Sequence, residues 1–285
     1  METYYDQLMN LRGADELKAI INKWETLSRN IEKYPLDAPI VLPDLFLYTR
    51  SGNGNTTFLS LLAGYLDSKK NLMSFYGDVK FLEFKLDYCS PDSKFSEIYR
   101  FMDAVRVAAG FRNEFKGIVR INVNDWLGHH KEKYFREFLN YLNGNTKSWL
   151  VILTVSSVDK LEKAKEMESV VSMYLRIETV TLSSPTDQEF VDYSNDFLAK
   201  YGFKLEESAE AVILESISVL RNNVYFNGYH TVADMCNDIV YSLFSKAEAN
   251  DRLITADMIS DFSADSDYIK RTIVKSKQRA TLGFY

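Results

Sequence analysis

The order of apolar and polar residues divides the chain into two parts of different character. From Tyr4 to Tyr34 the apolar positions Leu8, Leu11, Leu17, Ile20, Ile21, Trp24, Leu27 and Ile31 recur at spacings of three and four, which predicts two helices parted at Gly13. Pro35, Pro39 and Pro43 then break the pattern and pass the chain to a strand, Asp44 to Tyr48. Val79 to Leu86, Gly117 to Val123, Trp149 to Val155 and Arg176 to Leu182 read as further strands. Helical patterns fill the intervals at Phe58 to Leu66, Asp92 to Ala109, Tyr134 to Leu142 and Val158 to Tyr174. Five strands alternating with helices predict a parallel α/β sheet.

Trp149 to Val155 is an apolar run, as expected of a strand buried on both faces. Gly117 to Val123 is different, because Arg120 and Asn122 alternate with Ile121 and Val123. Either one face of this strand has polar partners, or the strand lies nearer a sheet edge. From Ser184 onward the pattern is helical. Thr186-Asp187-Gln188-Glu189 opens a helix that ends at Gly202, and Glu206 to Leu220, Thr231 to Ala249 and Thr255 to Phe262 follow. The predicted division is a core over residues 1–183, a small all-helical domain over 184–264 and a basic C-terminal tail over 265–285.

The stretch Tyr48-Thr49-Arg50-Ser51-Gly52-Asn53-Gly54-Asn55-Thr56-Thr57 joins the first strand to an amphipathic helix, which is the frame of a phosphate-binding loop. Against the pattern G-x-x-x-x-G-K-[ST], Thr49 stands in place of the first glycine and Asn55 in place of the lysine, while Gly54 and Thr56 are retained. Asn55 offers a neutral amide where the lysine would set a full charge against the β and γ phosphates. The helix N-terminus still presents unpaired N–H groups and a positive dipole end, which suits weak anion binding. The alternative is that Ser51 to Asn55 only turns the chain between strand and helix.

Composition narrows the setting. The chain has 285 residues, a formal charge of −6 and no apolar run near the ~20 residues needed to span a bilayer. Its start, Met1-Glu2-Thr3-Tyr4, lacks a signal-peptide profile, so a soluble cytoplasmic protein without a membrane partner is expected. Cys89 and Cys236 have no metal-type spacing and read as free thiols. The acidic balance argues against nucleic acid as a partner, despite the locally basic run Lys270 to Arg279. His129 and His130 point in different directions from a polar loop and make no chelating pair with His230. Ser51 lacks a nucleophile elbow, and the aromatic residues Phe95, Tyr99, Phe101, Phe111 and Phe115 fall at helical spacings that suit core or interface.

With these residues in hand, the chain from Leu8 to Phe262 resembles an AAA+ ATPase module. Leu11-Arg12-Gly13-Ala14-Asp15-Glu16-Leu17-Lys18 resembles the family's entry motif, Leu47 to Thr57 aligns without gaps on its P-loop, and Phe226-Asn227-Gly228-Tyr229-His230-Thr231-Val232 sits where the lid motif stands. The match is similar to the branch of red-type rubisco activases and type VII secretion ATPases. The resemblance implies a P-loop NTPase-like five-stranded parallel sheet flanked by helices, followed by a small all-helical lid.

It also implies roles, many of which fail. The nucleotide-side positions are Arg50, Gly52, Asn53, Gly54, Asn55, Thr56 and Thr57, with Thr56 and Asn124 at the metal positions. Asn124 has lost the metal carboxylate, and Asp125 remains as the water-polarising acid or as a local salt-bridge partner. Thr154 aligns near sensor 1, His230 with the sensor 2 arginine, and Arg176 with the arginine finger that acts on a neighbouring subunit. Losses at the lysine, the metal carboxylate and sensor 2 point together to a pseudo-ATPase. The expected cofactor is Mg-ATP or Mg-ADP held weakly, or none. The expected role is a structural or regulatory subunit in a homo-oligomer or a hetero-oligomer with AAA+ subunits. The alternative is an atypical ATPase that remodels a protein client, with Arg50 supplying the missing charge.

Overall fold

In the computed structural model the described residues are 2–36, 40–49, 52, 54–69, 71–72, 80–88, 94–110, 115–145, 149–156, 161–223, 226–245 and 252–281. The chain forms two compact units, one of Met1–Arg50 with Asn55–Ser183 and the other of Ser51–Gly54 with Ser184–Tyr285.

The first unit opens with α1 (Tyr4–Met9) and α2 (Asp15–Lys33). A capping box starts α1: Asp6 N–H donates to Thr3 Oγ1 at 3.1 Å, and Thr3 N–H donates to the Asp6 carboxylate at 3.0 Å. Five strands follow, β1 (Asp44–Tyr48), β2 (Lys80–Lys85), β3 (Gly117–Asn122), β4 (Trp149–Val155) and β5 (Ile177–Thr181). Between them run α3 (Asn55–Ser68), α4 (Lys94–Ala109), α5 (Lys133–Asn143) and α6 (Leu161–Val171). The strands pair in parallel in the order β2-β3-β4-β1-β5, so β1 and β4 are central and β2 and β5 form the edges.

Strand alternation sends side chains to two helical layers. Leu45, Leu47, Ile118, Leu150 and Ile152 face the layer that includes α2 and α3, where Trp24, Phe58, Leu59, Leu62 and Tyr65 cover them. Phe46, Val119, Ile121, Val151 and Leu153 face α4, α5 and α6, packing with Phe101, Phe135, Phe138 and Met167. Every residue of β4 is buried, in keeping with its apolar run. β3 is not an edge strand, since it lies between β2 and β4. Its Arg120 and Asn122 fall on the α3 side by alternation with Val119 and Ile121, so the polar-partner alternative holds.

The second unit contains α7 (Asp187–Ala199), α8 (Glu207–Arg221), α9 (Gly228–Ser245) and α10 (Asp267–Thr281). The start of α7 is a second capping box: Glu189 N–H donates to Thr186 Oγ1 at 3.2 Å, and Thr186 N–H donates to the Glu189 carboxylate at 2.7 Å. Phe190, Leu198, Ile213, Ile217, Met235, Ile239 and Ile259 build its core. Two details differ from the sequence reading. A two-residue parallel pairing joins β6 (Lys204–Leu205) to β7 (Leu253–Ile254), too short to leave an alternation signal. The basic C-terminal run lies in α10, and Ile269 at the start of that helix is buried in the unit's core.

Candidate functional site

The loop after β1 is shaped first by its backbone. Thr49 is buried, and its N–H donates to the Val155 carbonyl at 2.9 Å, so pairing with β4 runs one residue past the strand. A β-branched residue suits that extended position, where the phosphate-loop pattern has glycine. The left-handed conformations come later, at Gly52 (φ 80°) and Gly54 (φ 78°). Gly52 belongs to the second unit and meets α9 within it. Tyr229 N–H, in the first turn of α9, donates to the Gly52 carbonyl at 3.0 Å. A Cβ on Gly52 would lie 2.1 Å from the Asn227 carbonyl oxygen, and one on Gly228 would lie 2.6 Å from the Gly52 oxygen. This pair of glycines thus lets two backbones touch, and it gives one of the orphan donors at the start of α9 an acceptor.

Arg50, Ser51, Asn53 and Cys89 lie outside the described residues, as does the Asn55 side chain, although Asn55 itself begins α3. Thr56 and Thr57 are exposed in the first turn of α3. Thr56 Oγ1 lies 3.5 Å from Glu83 Oε2 on β2. Glu83 Oε1 is ion-paired with the Arg120 guanidinium, its register partner on β3.

At the end of β3 the two residues aligned with the acidic pair are both engaged. Asn124 Oδ1 accepts the Ser156 N–H at 2.5 Å, and its own N–H donates to Asn122 Oδ1 at 3.0 Å. The first of these bonds ties the ends of β3 and β4 together, and the second turns the chain at the end of β3. Asp125 Oδ2 lies 3.1 Å from Lys85 Nζ, which also reaches Asp87 at 2.8 Å. Hydrogen bonds donated by the Lys85 ammonium to Asp87 and Asp125 push its pKa above the usual range, so the lysine stays charged between them. The local salt bridge foreseen for Asp125 is therefore present. Thr154, buried beside Asn122 in the β3–β4 register, points its hydroxyl at the Ile121 carbonyl 3.4 Å away.

Arg176 is exposed just before β5, with its guanidinium 3.5 Å from the Val41 carbonyl. β5 starts opposite Asp44, the first residue of β1, whereas the loop follows Tyr48, the last; Arg176 thus stands at the opposite strand end from its own loop. His230 is exposed in the first turn of α9, in the second unit. His129 stacks on Tyr88 with ring centroids 3.8 Å apart and bonds to Glu132, while His130 is buried and its pKa is lowered by that burial. Cys236 is buried too, with its thiol pushed up to about 11 by desolvation, so it behaves as a core residue.

Glu83 and Arg120 were not among the residues that the sequence singled out as a site. Arg120 was visible as a polar residue in a buried strand, but its pairing with Glu83 depends on inter-strand register, which no local pattern reveals.

No protein-family model and no curated protein matches the sequence. Solved structures do. A proline-to-glycine mutant of RuvB from Thermotoga maritima aligns over 100% of this chain and 86% of its own, with a TM-score of 0.58 and 12% identity. Another structure of T. maritima RuvB, described as a Holliday junction branch migration motor, aligns over 94% of this chain and 82% of its own, with a TM-score of 0.51 and 12% identity. PCH-2 from C. elegans aligns over 97% and 73%, with a TM-score of 0.50 and 14% identity. At such identities the likeness is one of fold. With its five-stranded parallel sheet flanked by helices and its helical C-terminal region, the chain has the fold of an AAA+ ATPase module.

Proposed function

We propose that this protein is a pseudo-ATPase: an AAA+-type module that holds Mg-ATP or Mg-ADP weakly, turns it over very slowly or not at all, and acts as a structural or regulatory subunit of a protein assembly. The observation that carries this reading is the state of the β3 end. Asn124 brings no charge to the metal position and uses its carbonyl on Ser156, while Asp125 is held by Lys85. Hydrolysis needs a carboxylate there that is free to orient water and a charge set against the phosphates. Removing one preorganised electrostatic group from an active site typically costs about 3–4 kcal/mol of transition-state stabilisation, so combined losses leave little rate.

Exposure of Arg176 supports a role in assembly, because an arginine at the far strand end is available to a neighbouring subunit. The entry segment Leu11 to Lys18, the loop Leu47 to Thr57 and the segment Phe226 to Val232 support, by motif resemblance, assigning the module to the branch of red-type rubisco activases and type VII secretion ATPases. The second reading, a weak ATPase that remodels a protein client, draws on the retained Thr56 and on the Arg120–Glu83 pair close to it.

Phosphate release from Mg-ATP by the full chain tests the proposal. The expected rate equals that of a Thr56→Ala control. Rapid turnover that Thr56→Ala abolishes overturns the pseudo-ATPase reading in favour of the second.

A further inference from the structure

The loop and the β3 end lack one positive and one negative charge relative to the phosphate-loop pattern, at Asn55 and Asn124. One charge of each sign appears on the neighbouring strands instead. Glu83 on β2 and Arg120 on β3 are register partners, and their side chains form an ion pair on the side of the sheet that carries α3. Glu83 uses one carboxylate oxygen for Arg120 and turns the other towards Thr56 Oγ1, 3.5 Å away.

The donor set has the chemistry of a cation and phosphate site. Magnesium takes oxygen ligands, keeps several waters and needs only one or two carboxylates beside the phosphates of its substrate. A threonine hydroxyl and a carboxylate oxygen side by side supply that protein share. Among the described residues no group of three or more His, Cys, Asp or Glu side chains could hold a metal ion by itself, so a cation here would rely on phosphate and water for the rest of its shell. The Arg120 guanidinium is a planar donor suited to phosphate oxygens. Its Nε is buried with no hydrogen-bond partner among the described residues, so the pair with Glu83 does not exhaust its donors. Side-chain exposures of 19% for Arg120 and 32% for Glu83 leave both within reach of a ligand.

We infer that Glu83 and Arg120 replace, from adjacent strands, the two charges absent at Asn124 and Asn55: Glu83 with Thr56 holds the magnesium of a nucleoside triphosphate, and Arg120 holds its phosphates. The charge balance supports the exchange, because a lysine with a metal carboxylate and an arginine with a glutamate both sum to zero. The inference deepens the proposal that the module binds nucleotide without efficient turnover, and it rests on that reading. The water-polarising role is not restored, since Asp125 stays with Lys85.

Calorimetry of the full chain with Mg-ATP, and with ATP in EDTA, is the test, with Mn²⁺ in place of Mg²⁺ as a direct probe of the metal through its paramagnetic resonance spectrum. Glu83→Gln is expected to weaken Mg-ATP binding by about tenfold or more, the scale of one lost charged contact, and to abolish the difference between magnesium and EDTA. Arg120→Gln is expected to weaken binding in both conditions. The charge-swapped double variant, Glu83→Arg with Arg120→Glu, separates a ligand role from a merely structural ion pair. It should recover the melting temperature lost by either single variant but not the binding. Unchanged affinity in both single variants overturns the inference, as does tighter binding by Glu83→Gln, which would make Glu83 an occluding group. Binding restored by the swap overturns it too, and so does the absence of binding by the wild-type chain at millimolar nucleotide. That last result also removes the nucleotide from the proposed function and leaves only its structural or regulatory role, whereas rapid phosphate release with binding that needs Glu83 and Arg120 sinks the pseudo-ATPase reading and keeps the site.

Discussion

The Asp44 carboxylate accepts the Val151 N–H at 2.8 Å, tying the first residue of β1 to the middle of β4. Asp44 is only 4% exposed, and burial pushes its pKa up to about 7 against the backbone hydrogen bond that favours the charged form. In the folded protein the carboxyl therefore keeps its proton up to about pH 7, whereas the unfolded chain releases it near 3.8. Between those values the folded state binds more protons, so this residue's contribution to stability falls as pH rises and levels off above pH 7.

Asp44→Asn keeps an oxygen for Val151 and removes the titration. Relative to wild type, the variant is expected to gain a few kcal/mol of stability between pH 5 and pH 8, read as a shift in urea midpoint. A wild-type-minus-variant difference that stays flat across this range rules out a buried, protonated Asp44. Other carboxylates titrate alike in both chains and cancel from the comparison.

The contact between Gly52 and Gly228 predicts a coupled pair of substitutions. Alanine at position 52 meets the Asn227 carbonyl at 2.1 Å with φ at 80°, and alanine at 228 meets the Gly52 oxygen at 2.6 Å with φ at 49°. Each variant is expected to lose about 1–3 kcal/mol through left-handed strain and displacement of the same backbone contact. Because either change opens that contact, the double variant should cost less than the sum. Additive losses in thermal denaturation would mean that the two glycines act independently.

Much of the fold is legible because its signals are local. Thr186 and Glu189 announce the start of α7 three residues apart, and the unbroken apolar run from Trp149 to Val155 marks a strand covered on both faces. The candidate site is less legible because its contacts are distant in sequence. Thr56, Glu83 and Arg120 meet only through strand order and register, as Asp44 meets Val151. The loop sequence shows where it departs from the phosphate-loop pattern, at Thr49 and Asn55, but the strand sequences could not reveal which charges stand beside Thr56.

The α7 capping box gives a test of one such local signal. Thr186→Ala removes the acceptor for Glu189 N–H and the hydroxyl that donates to the Glu189 carboxylate at 3.1 Å, while the backbone N–H of residue 186 still donates to that carboxylate. The expected cost is about 1 kcal/mol, with Thr186→Ser restoring most of it. If alanine and serine denature at the same urea concentration, the hydroxyl contributes nothing to the start of the helix.

Lys85 connects the electrostatics of the β3 end to its proposed silence. Its ammonium lies 2.8 Å from Asp87 and 3.1 Å from Asp125, and the Lys85 hydrogen bond holds the Asp87 carboxyl below its usual range. Lys85→Met removes that cation and leaves the Arg100 guanidinium 3.8 Å from Asp87. The Asp87 carboxyl is then expected to titrate at higher pH than in wild type, followed by carbon NMR of labelled aspartate. Phosphate release is expected to stay at background in the same variant, because Glu83 and Arg120 would bind magnesium and phosphate from β2 and β3 without setting a charge at Asn55 against the γ phosphate, so freeing Asp125 alone does not complete the transition-state electrostatics. A variant that gains turnover would place the block at Lys85 alone, and the module would then be a restrained ATPase rather than one silenced by several losses at once.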